Sequence, residues 1–122
     1  MRSILLVDDN EDLRELYGAT LRRAGYVVKE AENGQKALAM LARMDDEPCV
    51  LLLDLMMPVM SGPELLRILH DSGRLDKLPV IVFSAGGQPS DAPEAQKFLR
   101  KPVDSRVLVS LVQEFCAVHS AQ

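Results

Sequence analysis

Five short apolar runs alternate along the chain with stretches whose apolar residues recur every three or four positions. The third run, CVLLLDL at residues 49–55, has no polar alternation, which is typical of a strand covered on both faces of a sheet. After the first run, Leu13, Leu16 and Tyr17 follow the spacing of one helix face. Repeated strand–helix alternation predicts an α/β fold, a parallel sheet with helices on both faces. The predicted strands lie at residues 4–7, 26–32, 49–55, 80–85 and 97–102.

Polar residues and prolines mark where the predicted helices begin or fail. Asn10 and Ser61 are suited to cap the first and third helices, because their side-chain oxygens can accept hydrogen bonds from free backbone N–H groups. Between the fourth and fifth strands, residues 86–96 carry Pro89 and Pro93, which interrupt any long helix. We therefore expect the fourth helix to be short, displaced or irregular.

Polar side chains stand at the carboxyl ends of four of the five predicted strands. Asp8 and Asp9 follow the first strand, Asp54 ends the third, Ser84 ends the fourth, and Lys101 ends the fifth. In doubly wound parallel sheets, ligands bind at this edge, near the point where the strand order reverses. The spacing therefore predicts that these five residues converge on one site.

The chemistry of this set suits phosphoryl transfer. Three carboxylates in one pocket repel each other, and a hard divalent cation such as Mg²⁺, with Mn²⁺ as a substitute, offsets their charge. An aspartate can act as a nucleophile and form an aspartyl phosphate, while a lysine and a hydroxyl can contact phosphoryl oxygens. Each residue alone also has a purely structural explanation, such as helix capping for Asp8 and Asp9 or surface solvation for Lys101.

Four segments in this order carry a family resemblance: LLVDDN (5–10), LLLDLMMPVMSG (51–62), VIVFSA (80–85) and LRKPVD (99–104). The whole chain resembles a response-regulator receiver domain of bacterial two-component signalling. The resemblance implies a doubly wound, flavodoxin-like five-stranded sheet in the order 2-1-3-4-5.

The resemblance also implies a role for each residue at the strand ends. Asp54 matches the phospho-accepting aspartate of the family. Asp8 and Asp9 match the acidic pair that holds Mg²⁺ together with Asp54 and the backbone carbonyl of Met56. Lys101 matches the lysine that contacts the phosphoryl group.

Further positions match the conformational switch of the family. Ser84 matches the switch hydroxyl residue and Phe98 the switch aromatic residue, and the resemblance implies a cis peptide bond before Pro102. Met56 and Gly86 stand where relatives often carry polar side chains that place an attacking water. Since neither residue can do so, we expect slow intrinsic dephosphorylation.

Size, charge and cysteine content indicate the number of domains, the class of partner and the cellular location. The 122 residues are expected to form one domain, residues 1–122, and the net charge of −4 without a basic stripe disfavours direct binding of nucleic acid. No apolar segment reaches membrane-spanning length, and the run at residues 4–7 is too short for a signal peptide. Cys49 and Cys116 lie in apolar contexts and are interpreted as reduced, buried thiols. Together these features predict a cytoplasmic protein.

The expected partners follow from the resemblance. A histidine kinase or a histidine phosphotransfer protein would supply the phosphoryl group, and an unidentified protein would read the switched surface. We expect a monomer in the unphosphorylated state and a phospho-acceptor rather than a turnover enzyme. The alternative is a degenerate receiver that binds partners independently of phosphorylation. Whether the chain acts alone or as part of a longer regulator or hybrid kinase stays open at this point.

Overall fold

A computed structural model of the chain describes residues 3–120, with side chains described up to residue 116. Strands and α-helices alternate along it as the sequence pattern predicts, except between the last two strands. The elements are β1 (Ser3–Val7), α1 (Glu11–Arg23), β2 (Val27–Ala31), α2 (Gly34–Arg43), β3 (Val50–Asp54), α3 (Gly62–Asp71), β4 (Val80–Ser84), β5 (Lys97–Arg100) and α4 (Ser105–Ser120).

The five strands form one parallel sheet in the order β2-β1-β3-β4-β5. The predicted fold class and strand order are therefore confirmed. The order reverses between β1 and β3, which are neighbours in the sheet, so their carboxyl ends lie side by side. This is the point at which the acidic residues leave the sheet.

Alternate side chains of each strand enter two separate cores, since successive residues of a strand point to opposite faces. On one face the sheet packs against α2 and α3, and on the other against α1 and α4. The buried strand residues of the first core are Leu5, Val7, Ala31, Leu51, Leu53, Val80 and Val82. Those of the second core are Ile4, Leu6, Val28, Val50, Leu52, Ile81 and Phe83. Burial on both faces explains why these strands lack polar alternation.

The helix ends follow the capping signals in the sequence. The Asn10 side chain accepts from the N–H of Leu13 at the start of α1, and Gly25, with φ of +100°, follows its end. Ser61 and Glu64 form a reciprocal capping box at the start of α3. These caps fix the two segments that enter helices directly from the candidate site.

The segment between β4 and β5 contains only a 3₁₀ turn, Pro89–Asp91, in its described residues. This confirms the expectation that the helix predicted between these two strands is short and irregular. Pro89 opens the turn, and the side chain of Asp91 accepts from the N–H of Gln88. A second 3₁₀ turn, Arg74–Lys77, lies before β4.

The interpretation of the cysteines as reduced thiols is wrong. Cys49, just before β3, and Cys116 of α4 form a disulfide across a sequence separation of 67 residues. Both residues are buried in the core between the sheet and α1 and α4. An apolar sequence context is common to a buried thiol and a buried disulfide, so the sequence pattern could not separate them.

Candidate functional site

Asp8 lies fully buried at the carboxyl end of β1 and is held by four hydrogen bonds. Its backbone N–H donates to the carbonyl of Ala31 in β2 at 3.1 Å. Its carboxylate accepts from the N–H of Asn10 at 2.9 Å and from the Lys101 ammonium at 2.8 Å. Its backbone carbonyl accepts from the guanidinium of Arg14 at 2.8 Å. A charged group can be buried in this way because its polar atoms have partners.

Asp54 is the last residue of β3 and is only 4% exposed. The start of α3 packs directly against it, because a Cβ atom added at Gly62 would lie 2.6 Å from the Asp54 carbonyl oxygen. The N–H of Gly62 donates to the carbonyl of Leu55 at 2.9 Å. A glycine is therefore required where the chain returns past the carboxylate into the helix.

Asp8, Asp9 and Asp54 each offer a carboxylate oxygen, and these oxygens lie within 4.8 Å of one another. Asp9 is exposed, whereas the other two are buried, so the cluster opens to solvent on one side. Three carboxylates with the single ammonium of Lys101 leave an excess of two negative charges. A hard divalent cation with oxygen ligands and several waters, such as Mg²⁺, fits both this charge and this donor set.

The electrostatics of Asp54 point in the same direction. The pKa of its carboxyl is raised from 3.8 to about 7, chiefly by burial. The positive charge of Lys101 lowers this pKa, whereas the neighbouring carboxylates of Asp8 and Asp9 raise it further. Without a cation the site therefore holds more negative charge than it readily stabilises. A bound divalent cation would offset this negative charge and favour the ionised, nucleophilic form of Asp54.

Lys101 reaches this cluster from the residue after β5. Its ammonium lies 2.8 Å from Asp8 and 3.4 Å from Asp54, and its side chain is only 10% exposed. Burial alone would lower the pKa of Lys101, but the hydrogen bond with Asp8 and the charge of Asp54 outweigh it and raise the pKa. The ammonium is thus held in its charged form beside both carboxylates.

Ser84 ends β4 and is 1% exposed. Its hydroxyl oxygen accepts from the N–H of Gly86 at 3.3 Å, and its carbonyl accepts from the N–H of Lys101. The following loop is fixed by Gly87, which has φ of +76° and packs on the side chain of Leu55. The loop after Ser84 is therefore in contact with the residue after Asp54.

The remaining sequence-predicted residues surround this cluster. Phe98 in β5 is half-buried against the core under α2 and α3, and the Arg100 guanidinium lies 5.1 Å from the centre of its ring. Arg100 also donates to the carbonyl of Gly87 at 2.9 Å. The peptide bond before Pro102 is cis. Met56 is 64% exposed at the mouth of the site.

A cavity of about 280 Å³ joins most of these residues. It brings together Asp9, Asp54, Met56, Ser84 and Lys101, whereas the buried Asp8 and the half-buried Phe98 do not line it. Its other lining residues are Asn10, Leu13, Ala85 and Gly86. Larger cavities of about 520 and 410 Å³ lie along β2 and α2, and neither is lined by Asp8, Asp9 or Asp54.

Sequence reasoning missed the ion pairs behind Asp8. Arg14 and Arg22 of α1 both contact Glu30 of β2, at 3.2 and 2.9 Å. Arg14 and Arg22 are eight positions apart, a spacing that places them on one helix face, and Glu30 is a half-buried charged residue of β2. These signals could have indicated an ion pair but not its contact with Asp8.

Comparison with known proteins gives consistent matches. The sequence profile of the response regulator receiver domain matches residues 4–113. The chain is 36% identical over 121 residues to the response regulator receiver protein CpdR of Brucella abortus, covering 93% of this chain and 96% of CpdR. It is 36% identical over 114 residues to the phosphate regulon transcriptional regulatory protein PhoB of Pseudomonas aeruginosa, covering 89% of this chain and 49% of PhoB. The chain thus spans about half the length of PhoB.

Solved structures give the same match. The response regulator protein TrrA of Thermotoga maritima, solved in complex with Mg²⁺ and BeF, superposes with a TM-score of 0.82 at 26% identity. The alignment covers 94% of this chain and 99% of that protein. No helix within residues 3–120 is both long enough and apolar enough to cross a membrane.

Proposed function

The chain belongs to the response-regulator receiver domain family, and on that premise we propose that Asp54 is its phospho-acceptor. The observation that carries this proposal is the cluster of three carboxylates within 4.8 Å, with the Lys101 ammonium 2.8 Å from Asp8 and 3.4 Å from Asp54. Asp54 is the carboxylate that combines burial at a strand end with access to the cavity. The other two carboxylates, Asp8 and Asp9, would hold the metal together with Asp54.

The reaction transfers a phosphoryl group from a phosphohistidine to Asp54. A carboxylate oxygen of Asp54 forms a bond to phosphorus in line with the breaking P–N bond, whose electron pair stays on the imidazole nitrogen of the donor. Mg²⁺, held by Asp8, Asp9, Asp54 and the backbone carbonyl of Met56, would neutralise the charge on the phosphoryl oxygens, and Mn²⁺ could replace it. This transfer needs positioning and charge neutralisation rather than proton abstraction.

Lys101 and Ser84 complete the acceptor site. The ammonium of Lys101 contacts a phosphoryl oxygen, and the Ser84 hydroxyl, which accepts from the N–H of Gly86, donates its own proton to another. Movement of the loop after Ser84 then changes the packing of Phe98 on β5. Such a local charge change biases a bistable element and alters a protein-binding surface.

The setting of this reaction is part of the proposal. The donor is a histidine kinase or a histidine phosphotransfer protein, and the reader of the switched surface is a further protein rather than a nucleic acid. Residues 1–122 act as one receiver domain, monomeric when unphosphorylated. The cytoplasmic location rests on the receiver assignment and no longer on the state of the cysteines.

The domain acts as a phospho-acceptor that is modified and slowly reset, rather than as a turnover enzyme. Met56 and Gly86 line the cavity without a polar side chain that could place a water against the phosphoryl group. The alternative function, a degenerate receiver, is disfavoured because the carboxylates and Lys101 are all present at the site.

The test is a phosphorylation assay with a small acyl phosphate donor, followed by intact mass measurement. We expect one phosphoryl adduct on wild-type protein with Mg²⁺, and none after chelation of the metal or in Asp54→Asn. An equal adduct in Asp54→Asn and wild type would contradict the assignment of the acceptor.

A further inference from the structure

Arg14 connects the metal-binding end of β1 to the edge strand β2. It lies in the first part of α1, and its side chain is 17% exposed. One guanidinium nitrogen donates to the Asp8 carbonyl at 2.8 Å, and another donates to Glu30 at 3.2 Å. A single planar group thus bridges two strands through two directed hydrogen bonds.

Glu30 is itself held in place from the opposite side. Arg22 donates to the second Glu30 oxygen at 2.9 Å and to the carbonyl of Val28 at 2.9 Å. Gly18 lies between the two arginines on α1, and a Cβ atom added there would lie 3.1 Å from the carboxylate of Glu30. A larger side chain at Gly18 would crowd this carboxylate, which the two arginines hold through its two oxygens.

The turn from β1 to α1 is short, and Asp8, Asp9 and Asn10 form all of it. Asn10 caps α1 and also donates its N–H to the Asp8 carboxylate. The Arg14 side chain donates a hydrogen bond to the backbone carbonyl of Asp8 in this turn. The orientation of both turn carboxylates depends on that backbone.

We infer that Arg14 is a positioning residue that sets the geometry of the Asp8–Asp9 metal ligands through the Asp8 backbone. Glu30 orients the Arg14 guanidinium through the hydrogen bond between them. This inference rests on the metal site of the proposed function. Partners that orient metal ligands affect metal affinity by factors of ten or more, and an effect transmitted through the backbone belongs at the lower end.

A positioning role and a simple charge effect predict opposite signs. The Arg14 guanidinium is a positive charge beside an acidic site, so its removal would tighten Mg²⁺ binding if charge alone mattered. If Arg14 positions the ligands, its removal weakens binding instead. Arg22 offers a matched control, because it carries the same charge and contacts Glu30 but makes no hydrogen bond to Asp8.

The experiment measures the Mg²⁺ affinity of the unphosphorylated 122-residue chain by titration of backbone amide signals in NMR spectra. We expect Arg14→Gln to weaken Mg²⁺ binding by about tenfold. Arg14→Lys retains the charge but cannot reach both acceptors in the same way, and it should also weaken binding. Arg22→Gln should leave the affinity within twofold of wild type or tighten it. Thermal unfolding of each variant confirms that it is folded before titration.

A second readout needs no metal. The Asn10 amide, which donates to the Asp8 carboxylate, should exchange its hydrogen faster in Arg14→Gln and Arg14→Lys than in Arg22→Gln. Equal or tighter Mg²⁺ binding in Arg14→Gln, or an equal loss in Arg22→Gln, would overturn the inference. If wild-type protein binds no Mg²⁺, the proposed metal site fails separately, and unchanged Asn10 exchange would then overturn the positioning role.

Discussion

Replacement of Asp54 by asparagine should stabilise the metal-free protein at neutral and alkaline pH. The asparagine side chain has nearly the shape of the carboxyl group but cannot ionise, so it resembles the protonated form of Asp54. The pKa of Asp54 is raised from 3.8 to about 7, chiefly by burial. The native state therefore resists ionisation of this group, whereas the unfolded state does not.

The pKa values set both the sign and the pH window. Well below pH 4 the carboxyl is protonated in both states, so the substitution removes no ionic penalty. Between pH 4 and pH 7 the unfolded state releases its proton while the native state keeps it, and the wild-type free energy of unfolding falls. A pKa that is higher by about 3 in the native state than in the unfolded state corresponds to a change of at most roughly 4 kcal/mol in the free energy of unfolding. Because Lys101 and Asp8 can readjust around an ionised Asp54, we expect a net gain of about 1–3 kcal/mol at pH 8.

The assay is urea unfolding of wild type and Asp54→Asn across pH 4 to 8 in a metal chelator. The gain should be absent near pH 4, grow through pH 7 and then level off. Asp45→Asn, in the exposed loop before β3, removes the same charge at the opposite end of the sheet and should show no such profile. Added Mg²⁺ should stabilise wild type more than Asp54→Asn and so close the gap.

Two outcomes would refute this reasoning. One is a loss of stability in Asp54→Asn at pH 8 without metal, since it would mean that the ionised carboxylate stabilises the fold. The other is a gain of the same size at every pH, since it would assign the effect to packing rather than to charge.

Three further changes probe the scaffold around the site. Reduction of the disulfide should lower the free energy of unfolding by about 2–4 kcal/mol in urea titrations; two free thiols in the untreated protein would contradict this. Val59 is 71% exposed and has φ of +71°, so Val59→Asn should raise stability by about 1 kcal/mol, and no gain would argue against backbone strain. Gly87→Ala places a Cβ atom 2.3 Å from the Leu55 side chain and should cost about 1–3 kcal/mol, whereas Gly86→Ala, which meets no atom within 4 Å, should cost much less; equal costs would contradict the packing argument.

The sheet and the strand ends could be predicted because their signals are local. An uninterrupted apolar run such as Leu51–Leu53 requires a strand covered on both faces. In a parallel sheet the carboxyl ends of all strands lie at the same edge, so the residues that follow them lie close together. Pro89 and Pro93 fixed the irregular segment before β5 in the same way, since neither can lie inside a long helix.

The contacts that depend on tertiary packing could not be predicted in this way. Arg14 looks like any exposed helical arginine in the sequence, and only the pairing of β2 with β1 brings Glu30 to it. The disulfide joins residues whose apolar contexts equally suit thiols. Both examples involve partners set by the packing of distant elements rather than by local periodicity.

The central claim, that Asp54 is the phospho-acceptor, is tested most directly by locating the modified residue. After phosphorylation with Mg²⁺ and an acyl phosphate donor, borohydride reduces an aspartyl phosphate to homoserine, which peptide mass spectrometry places at one position. The account predicts homoserine at position 54 and at neither position 8 nor position 9. Conversion at position 8 or 9 instead, or a phosphorylated protein with no homoserine at position 54, would contradict it.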